Sequence, residues 1–418
     1  MKGVKIAGIG IELPARSYSN DDVAQMLIEQ RDLVIAQLKT NGEDELTPEQ
    51  LEQYETSNEW IGPRVGVFKR PFAETHETTS GYAAAASHNA WDDAYGDGFE
   101  EPGFSLLCTV SPDHFTTPAT NVVTARKMRL GYERFTHGKE TRRLRNFISA
   151  DITQACSSFG EGMIFGNALI RSGMTDRGLV VGADIMSRTV SKNRRSPFII
   201  LGDGAGAVVL ESCTVEQSWF QPSRFFAGVN GGKDGEYERA IINLAGGSEK
   251  PLTLEDLDPR VDAHLMLMDG NFVYRTIVPF VGNRVIPNAL EYAQLSLHDI
   301  DVLILHQANQ RMTEAVVDRL HKQFLDCVIW IANQNNVKEI LERIPNESAE
   351  KHHIICYCTI DHTGNLTSAS IPVSLHEARE YGVIIPGKRV QAVVFGGGYS
   401  WVSIVIDWGG AHLCRATA

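Results

Sequence analysis

Short apolar runs alternate along the chain with longer stretches in which apolar residues recur every three or four positions. The runs at 4–9, 105–110, 147–152, 178–183, 207–210, 224–229, 302–305, 354–360, 389–395 and 402–408 read as strands. Each is short, rich in β-branched residues and bounded by Gly, Pro or polar residues. Helical spacing fills the gaps. Ser19-Asn20-Asp21-Asp22 caps a helix from about 23 to 38, 41–45 is a polar break, and Thr47-Pro48-Glu49-Gln50 opens a second helix. An Ala-rich helix covers 79–95, and another begins after Ser157, where Phe159, Met163, Ile164, Phe165, Leu169 and Ile170 recur at helical spacing, with Gly173 as its stop. The segment 270–293 is helical with kinks expected at Pro279 and Pro287. Residues 310–324 carry Met312, Val316 and Leu320 on one stripe with Arg311 and Arg319 off it, and 371–381 is the last helix. Strand and helix alternate on both sides of a seam at 212–224, which predicts a duplicated α/β core of two halves, 1–213 and 214–418, packed as one unit.

Three junctions in that alternation carry chemistry. Cys156 falls between a strand and a helix, among Ala155, Ser157 and Ser158. A helix N-terminus favours the reactive thiolate, so Cys156 is a candidate nucleophile; a buried structural cysteine is the competing reading. His306 ends the apolar run 302–305, and Asn365 sits in the polar turn Asp361-His362-Thr363-Gly364-Asn365-Leu366-Thr367-Ser368. Two other patterns are set aside. Gly202-Asp203-Gly204-Ala205-Gly206-Ala207 precedes a strand rather than a helix, so it lacks the geometry that cradles a dinucleotide; its glycines are expected to allow close chain approach beneath the nucleophile. Cys356 and Cys358 lie on one run, near His352, His353 and His362, without a second cysteine pair, and no metal is expected there.

Taken together, Ala155-Cys156-Ser157, the stretch Gly202 to Leu210, His306-Gln307-Ala308-Asn309, Gly364-Asn365 and Phe395-Gly396-Gly397-Gly398-Tyr399-Ser400-Trp401 resemble the thiolase superfamily. The chain is most similar to its β-ketoacyl-acyl-carrier-protein synthase III family, and the pieces run in that family's order from end to end. The resemblance implies a thiolase-like core layered α-β-α-β-α. It implies a Claisen condensation in fatty-acid or polyketide biosynthesis, with Cys156, His306 and Asn365 catalytic and the backbone of Cys156, Gly397 and Gly398 as oxyanion hole. It assigns Trp60 and Arg64 to the nucleotide end of coenzyme A, Asn309 and Arg311 to the pantetheine arm or carrier protein, and Thr117 to the acyl pocket at a dimer interface. For Trp60 and Arg64, core packing and a surface ion pair are the competing readings. No resident cofactor is implied; the substrates are thioesters of coenzyme A or of an acidic acyl carrier protein, and the enzyme is a homodimer. The Gly396 turn is followed by Tyr399 and Cys414 sits in a short polar tail, so no second, thiolase-type cysteine is expected. Glu77 and Glu161 stand outside the context of a hydroxymethylglutaryl-synthase base, and for Glu161 the readings are a pocket-lining acid or base and a helix residue with a polar partner. The alternatives on the same fold are acyl transfer to an alcohol or amine, and a non-catalytic partner subunit.

Composition narrows this further. The 418 residues are 43% hydrophobic and 22% charged, with a net charge of −13, which argues against nucleic acid as a general partner. No apolar run approaches the roughly 20 residues of a spanning helix. Seven cysteines, an odd number, suit a reducing cytoplasm. Three segments exceed what the resemblance needs: 28–50, 126–145 and 325–353. The second is a basic island (Arg126, Lys127, Arg129, Arg134, Lys139, Arg142, Arg143, Arg145) suited to an acidic carrier protein or to a solvated insertion.

Overall fold

The computed structural model describes residues 2–410 apart from 97–100, 116, 131–145, 231–235, 238 and 349. The N-terminal half holds β1 (Gly3–Glu12), β2 (Phe104–Cys108), β3 (Ile148–Ile152), β4 (Arg177–Ile185) and β5 (Asp203–Cys213), in the spatial order β1-β5-β4-β2-β3. The C-terminal half holds β6 (Phe225–Val229), β7 (Val302–Leu305), β8 (Cys327–Ala332), β9 (His352–Tyr357), β10 (Arg389–Gly396) and β11 (Ser400–Asp407), ordered β6-β11-β10-β7-β9-β8. Without β8 the two sheets share one strand order. They also share strand directions: the first three strands of each order are antiparallel neighbours and the rest parallel. The duplication expected from the alternation is thus present in the topology.

The described helices include α1 (Asn20–Asn41), α2 (Pro48–Glu52), α3 (Asn58–Val65), α4 (Thr79–Tyr95), α5 (Thr120–Lys127) and α6 (Ser158–Arg171) in the first half. In the second half are α7 (Gly270–Phe280), α8 (Ile286–Tyr292), α9 (Gln310–Gln323), α10 (Val337–Arg343), α11 (Ile360–Thr363) and α12 (Ser370–Glu380). Side-chain alternation sorts the layers. Val302 and Ile304 of β7 join Phe159, Met163, Ile371 and Leu375 in a core between the sheets, so α6 and α12 form the central layer. Leu303 and Leu305 point the other way, into a core with α7 and α9. The outer face of the first sheet is covered by Ala83, Ala86 and Ala90 of α4. That helix can lie close because Gly8 and Gly10 face it: a Cβ on Gly10 would stand 2.1 Å from the Ala90 nitrogen. The result is the expected α-β-α-β-α layering.

Four readings change. The helical segment with Pro279 and Pro287 runs on through a wide π-type turn, Val281–Val285, where the two prolines interrupt the regular ladder. The strand at 354–360 ends at Tyr357, and 360–363 turns into α11. The segment 325–353 forms β8 and α10, and β8 covers the edge of β9 that would otherwise stand open. Finally, the glycines of 202–206 sit beneath the Asn365 segment and not the nucleophile. A Cβ on Gly202 would stand 2.1 Å from the Thr363 carbonyl oxygen, and one on Gly206 would stand 2.9 Å from Pro372. Of the basic island, Arg134, Lys139, Arg142, Arg143 and Arg145 lie outside the described residues.

Candidate active site

Cys156 occupies the turn between β3 and α6. Ala155, just before it, has a φ of +47°, a conformation costly for any residue with a Cβ. The turn is held from several sides. Ser158 Oγ accepts from the Gln154 N–H at 2.7 Å and donates to the Ala155 carbonyl at 2.6 Å. Ser157 donates to the Gln154 carbonyl at 2.7 Å, and its hydroxyl meets that of Ser400 at 2.7 Å. The thiol departs from the sequence expectation. Burial, aided by the charge of Asp184, pushes it up to about 12, against a lowering by its own backbone N–H. Desolvation at this short-range site outweighs the helix terminus, so the resting group is a thiol.

The end of β10 lies against both Cys156 and His306. A Cβ on Gly396 would stand 2.7 Å from the Cys156 nitrogen and 3.1 Å from the Ser157 nitrogen, so only glycine lets the strand pass. Gly397 and Gly398 follow, Gly398 with a φ of +72°. The preceding residue, Phe395, meets the His306 ring edge-on with centroids 5.3 Å apart, and the His306 backbone N–H donates to the Val393 carbonyl at 2.8 Å. His306 is 3% exposed, and burial lowers its pKa to about 3, so the ring is neutral. Its Nδ1 is buried without a partner. A buried lone pair costs less to leave unmet than a buried N–H, which favours the tautomer with its proton on Nε2.

Asn365 lies in the turn after α11. Its N–H donates to the Ile200 carbonyl at 2.9 Å, and its Oδ1 accepts the Thr367 N–H at 2.9 Å. That contact fixes the orientation of the amide and leaves the Nδ2 hydrogens for another acceptor. Thr367, β-branched at a φ of +50°, is held there by Asp184. Gln307 is a brace: its Oε1 accepts the Thr359 and Ile360 N–H groups at 2.9 and 3.2 Å.

The sequence-predicted substrate residues separate into two groups. Trp60, Arg64, Asn309 and Arg311 gather where α3 meets the start of α9. Arg311 Nε donates to the Pro63 carbonyl at 2.7 Å, and Asn309 caps α9 by accepting the Arg311 N–H at 2.8 Å. Arg64 lies over the Trp60 ring, its Cζ 4.5 Å from the centroid. Arg195, which the sequence reading passed over, lies at the same distance. It donates to Glu52 Oε1 at 3.0 Å and to the carbonyls of Glu52 and Glu55, so the inserted α2 holds it in place. Its only sequence signal is the Arg194-Arg195 pair in an acidic chain. Thr117 belongs elsewhere, on an exposed loop before α5 with Phe115 81% exposed. That loop lies beside β3, an edge strand among the described residues, because Asp151 of β3 accepts the Thr120 and Asn121 N–H groups at 2.7 Å.

Glu161 is half-buried on the first turn of α6, with its carboxyl raised by burial, and Glu77 folds back onto the Glu74 N–H at 2.7 Å. Cys356 and Cys358 are buried, and His362 is engaged at 2.9 Å by both Asp361 and Glu377. Cys414 lies outside the described residues.

Comparison with known proteins agrees with this arrangement. Residues 150–227 match the family model for 3-oxoacyl-[acyl-carrier-protein] synthase III, and 325–408 match the model for its C-terminal part. The β-ketoacyl-[acyl-carrier-protein] synthase III of Campylobacter curvus is 31% identical over 86% of this chain and 91% of its own. That of Microcystis aeruginosa is 30% identical over 97% and 98%. Among solved structures, the Pseudomonas aeruginosa synthase III superposes with a TM-score of 0.69 at 24% identity, covering 97% of this chain and 98% of that one. The priming β-ketosynthase of the R1128 polyketide pathway gives 0.71 at 23% identity, covering 97% and 96%. The chain belongs to the β-ketoacyl-acyl-carrier-protein synthase III family of the thiolase superfamily.

Proposed function

We propose that this chain is an acyltransferase that joins two acyl units by Claisen condensation in fatty-acid or polyketide biosynthesis. Cys156 Sγ attacks the carbonyl carbon of an acyl thioester, the bond to the carrier sulfur breaks, and the proton of Cys156 ends on the departing thiol. The N–H groups of Cys156 and of Gly397 or Gly398 receive the transient oxyanion. A malonyl thioester then loses CO₂, and its enolate oxygen accepts from His306 Nε2 and Asn365 Nδ2. The enolate carbon attacks the acyl carbonyl, a C–C bond forms, and the Cys156 thiolate leaves and is reprotonated. Neutral donors suit this step, since fixed dipoles stabilise developing charge without a counter-ion.

The observation that carries this reading is the Asn365 amide, turned by Thr367 so that its N–H₂ faces away from the protein's own donor. Transfer of an acyl group to an alcohol or amine needs no such enolate donor. Incubation with an acyl thioester and a malonyl thioester tests it: acyl mass on Cys156, CO₂ release and a β-keto product are expected, and an ester or amide product would refute it.

Trp60, Arg64 and Arg195 offer an aromatic face and guanidinium charge for the nucleotide end of coenzyme A. Arg311 lies exposed beside α3, suited to a phosphate or an acidic carrier protein. The active form is a homodimer in the cytoplasm, with no resident cofactor in the reaction. Two features support pairing of two copies through β3: it is an edge strand of the first sheet among the described residues, and Phe115 and Val122 expose apolar surface beside it. In that dimer Thr117 would border the partner's acyl pocket.

A further inference from the structure

Among the described residues the second sheet has one strand more than the first, and a cluster of donor atoms sits where that strand begins. Asp326 and Cys327 lead into β8, and His298 stands in the short turn Leu297–Asp299 before β7. His298 Nε2 lies 2.7 Å from Asp326 Oδ2. The donor atoms of His298, Asp326 and Cys327 all lie within 4.8 Å of one another, the one such grouping among the described residues. In a tetrahedral metal site donors stand about 3.5 Å apart. Two of the three side chains are exposed, His298 at 43% and Asp326 at 65%, and so are free of core packing.

The chemistry of the set is selective. Imidazole, thiolate and carboxylate together suit a borderline cation, whereas calcium and magnesium call for oxygen alone. Cys327 is 4% exposed, so its sulfur is presented from the protein side while the other two donors face solvent, leaving an entry path. Around the cluster, His352 is the strand neighbour of Cys327, and its ring centroid is 5.9 Å from that of His298. The His352 Nε2 donates to the Ile300 carbonyl at 2.6 Å, which braces the floor of the cluster.

We propose that His298, Asp326 and Cys327 bind one zinc ion, with a fourth position open to water, and that this ion fastens the inserted strand β8 to the turn before β7. Binding replaces the S–H bond of Cys327 by a Zn–S bond and releases one proton to solvent. The site takes no part in the condensation chemistry.

Cobalt(II) titration of the reduced full chain tests this, in a Cys156→Ala background so that the nucleophile cannot answer. One equivalent is expected to give a sulfur-to-cobalt charge-transfer band with tetrahedral visible bands, abolished by added zinc. Cys327→Ser should lose the charge-transfer band. His298→Gln, an exposed change that leaves the core intact, should weaken zinc binding roughly tenfold or more. Zinc should also raise the Tm of the parent and not that of His298→Gln. Absence of the bands in the parent, or equal bands and affinity in both variants, would overturn the proposal.

Discussion

Asp184 and Ser368 meet across the two halves of the chain: Asp184 Oδ2 accepts the Ser368 backbone N–H at 3.1 Å. The same oxygen takes the hydroxyls of Thr367 and Ser368, while Oδ1 takes the Val110 and Ser111 N–H groups at 2.8 and 3.1 Å. One carboxylate, 1% exposed, therefore ties the ends of β2 and β4 to the turn that carries Asn365. Its negative charge also helps hold the Cys156 thiol up.

From this follows the first expectation. Asp184→Asn keeps the shape but turns an N–H₂ toward donors, so stability should fall by about 2–4 kcal/mol. The Cys156 thiol should become more acidic, seen as faster iodoacetamide alkylation at mildly alkaline pH, with kcat reduced as Asn365 loses its brace. Unchanged alkylation and kcat would contradict the role given to Asp184.

Gly396→Ala should damage the nucleophile more than the fold. The added Cβ would press on the Cys156 and Ser157 nitrogens, and backbone on both sides leaves nothing soft to yield. Acyl-enzyme formation should slow by roughly 100-fold, the scale of losing one oxyanion donor. Stopped-flow or intact-mass time courses measure this, and near-normal acylation would count against the assigned oxyanion turn.

Two histidines give opposite pH signatures. His306 is held neutral, about 3 against 6.5 unfolded, so its contribution is full above 6.5 and is lost as pH falls towards 3, at up to about 1.4 kcal/mol per unit. His306→Gln should flatten that acid limb in denaturant titrations. For His362, burial alone would lower the pKa, but its hydrogen bonds to Asp361 and Glu377 raise it to about 9. Its contribution, at most about 3 kcal/mol, is full below 6.5 and is lost as pH rises through 9. The stability gap between wild type and His362→Gln should close over that window; a constant gap would refute the charged pair.

Arg195 and Glu52 test the role of the early insertion. If α2 positions Arg195 at Trp60, Arg195→Ala should raise KM for a coenzyme A thioester roughly 10-fold or more, a cation–π contact plus a phosphate contact. Glu52→Gln should raise it less, with kcat and the acylation of Cys156 by a short pantetheine thioester unaffected. Equal losses with the short and full-length donors would place these residues outside nucleotide recognition.

Cys156 and His306 are legible as candidates because each follows a strand whose apolar run is plain, Ile148–Ile152 and Val302–Leu305, whereas Asn365 is marked only by its Gly/Ser/Thr-rich turn after α11. What stayed hidden depends on distant partners. The seven donors around Asp184 come from segments far apart in the chain, so nothing local marks that acid beyond its place after an apolar run. For Cys156 the helix terminus is visible in sequence and desolvation is not, which is why the two point in opposite directions for the thiol. Strand β8 escaped notice because Cys327–Ala332 lies in a stretch that the family resemblance treated as surplus.

The sharpest test compares wild type, Cys156→Ala and Asn365→Ala in one assay that follows acyl mass on the protein and CO₂ released from a malonyl thioester. The account predicts that Asn365→Ala takes up the acyl group at Cys156 but loses CO₂ release and C–C product by roughly 100-fold or more, while Cys156→Ala takes up none. An acylated Cys156→Ala, or full condensation by Asn365→Ala, would contradict it.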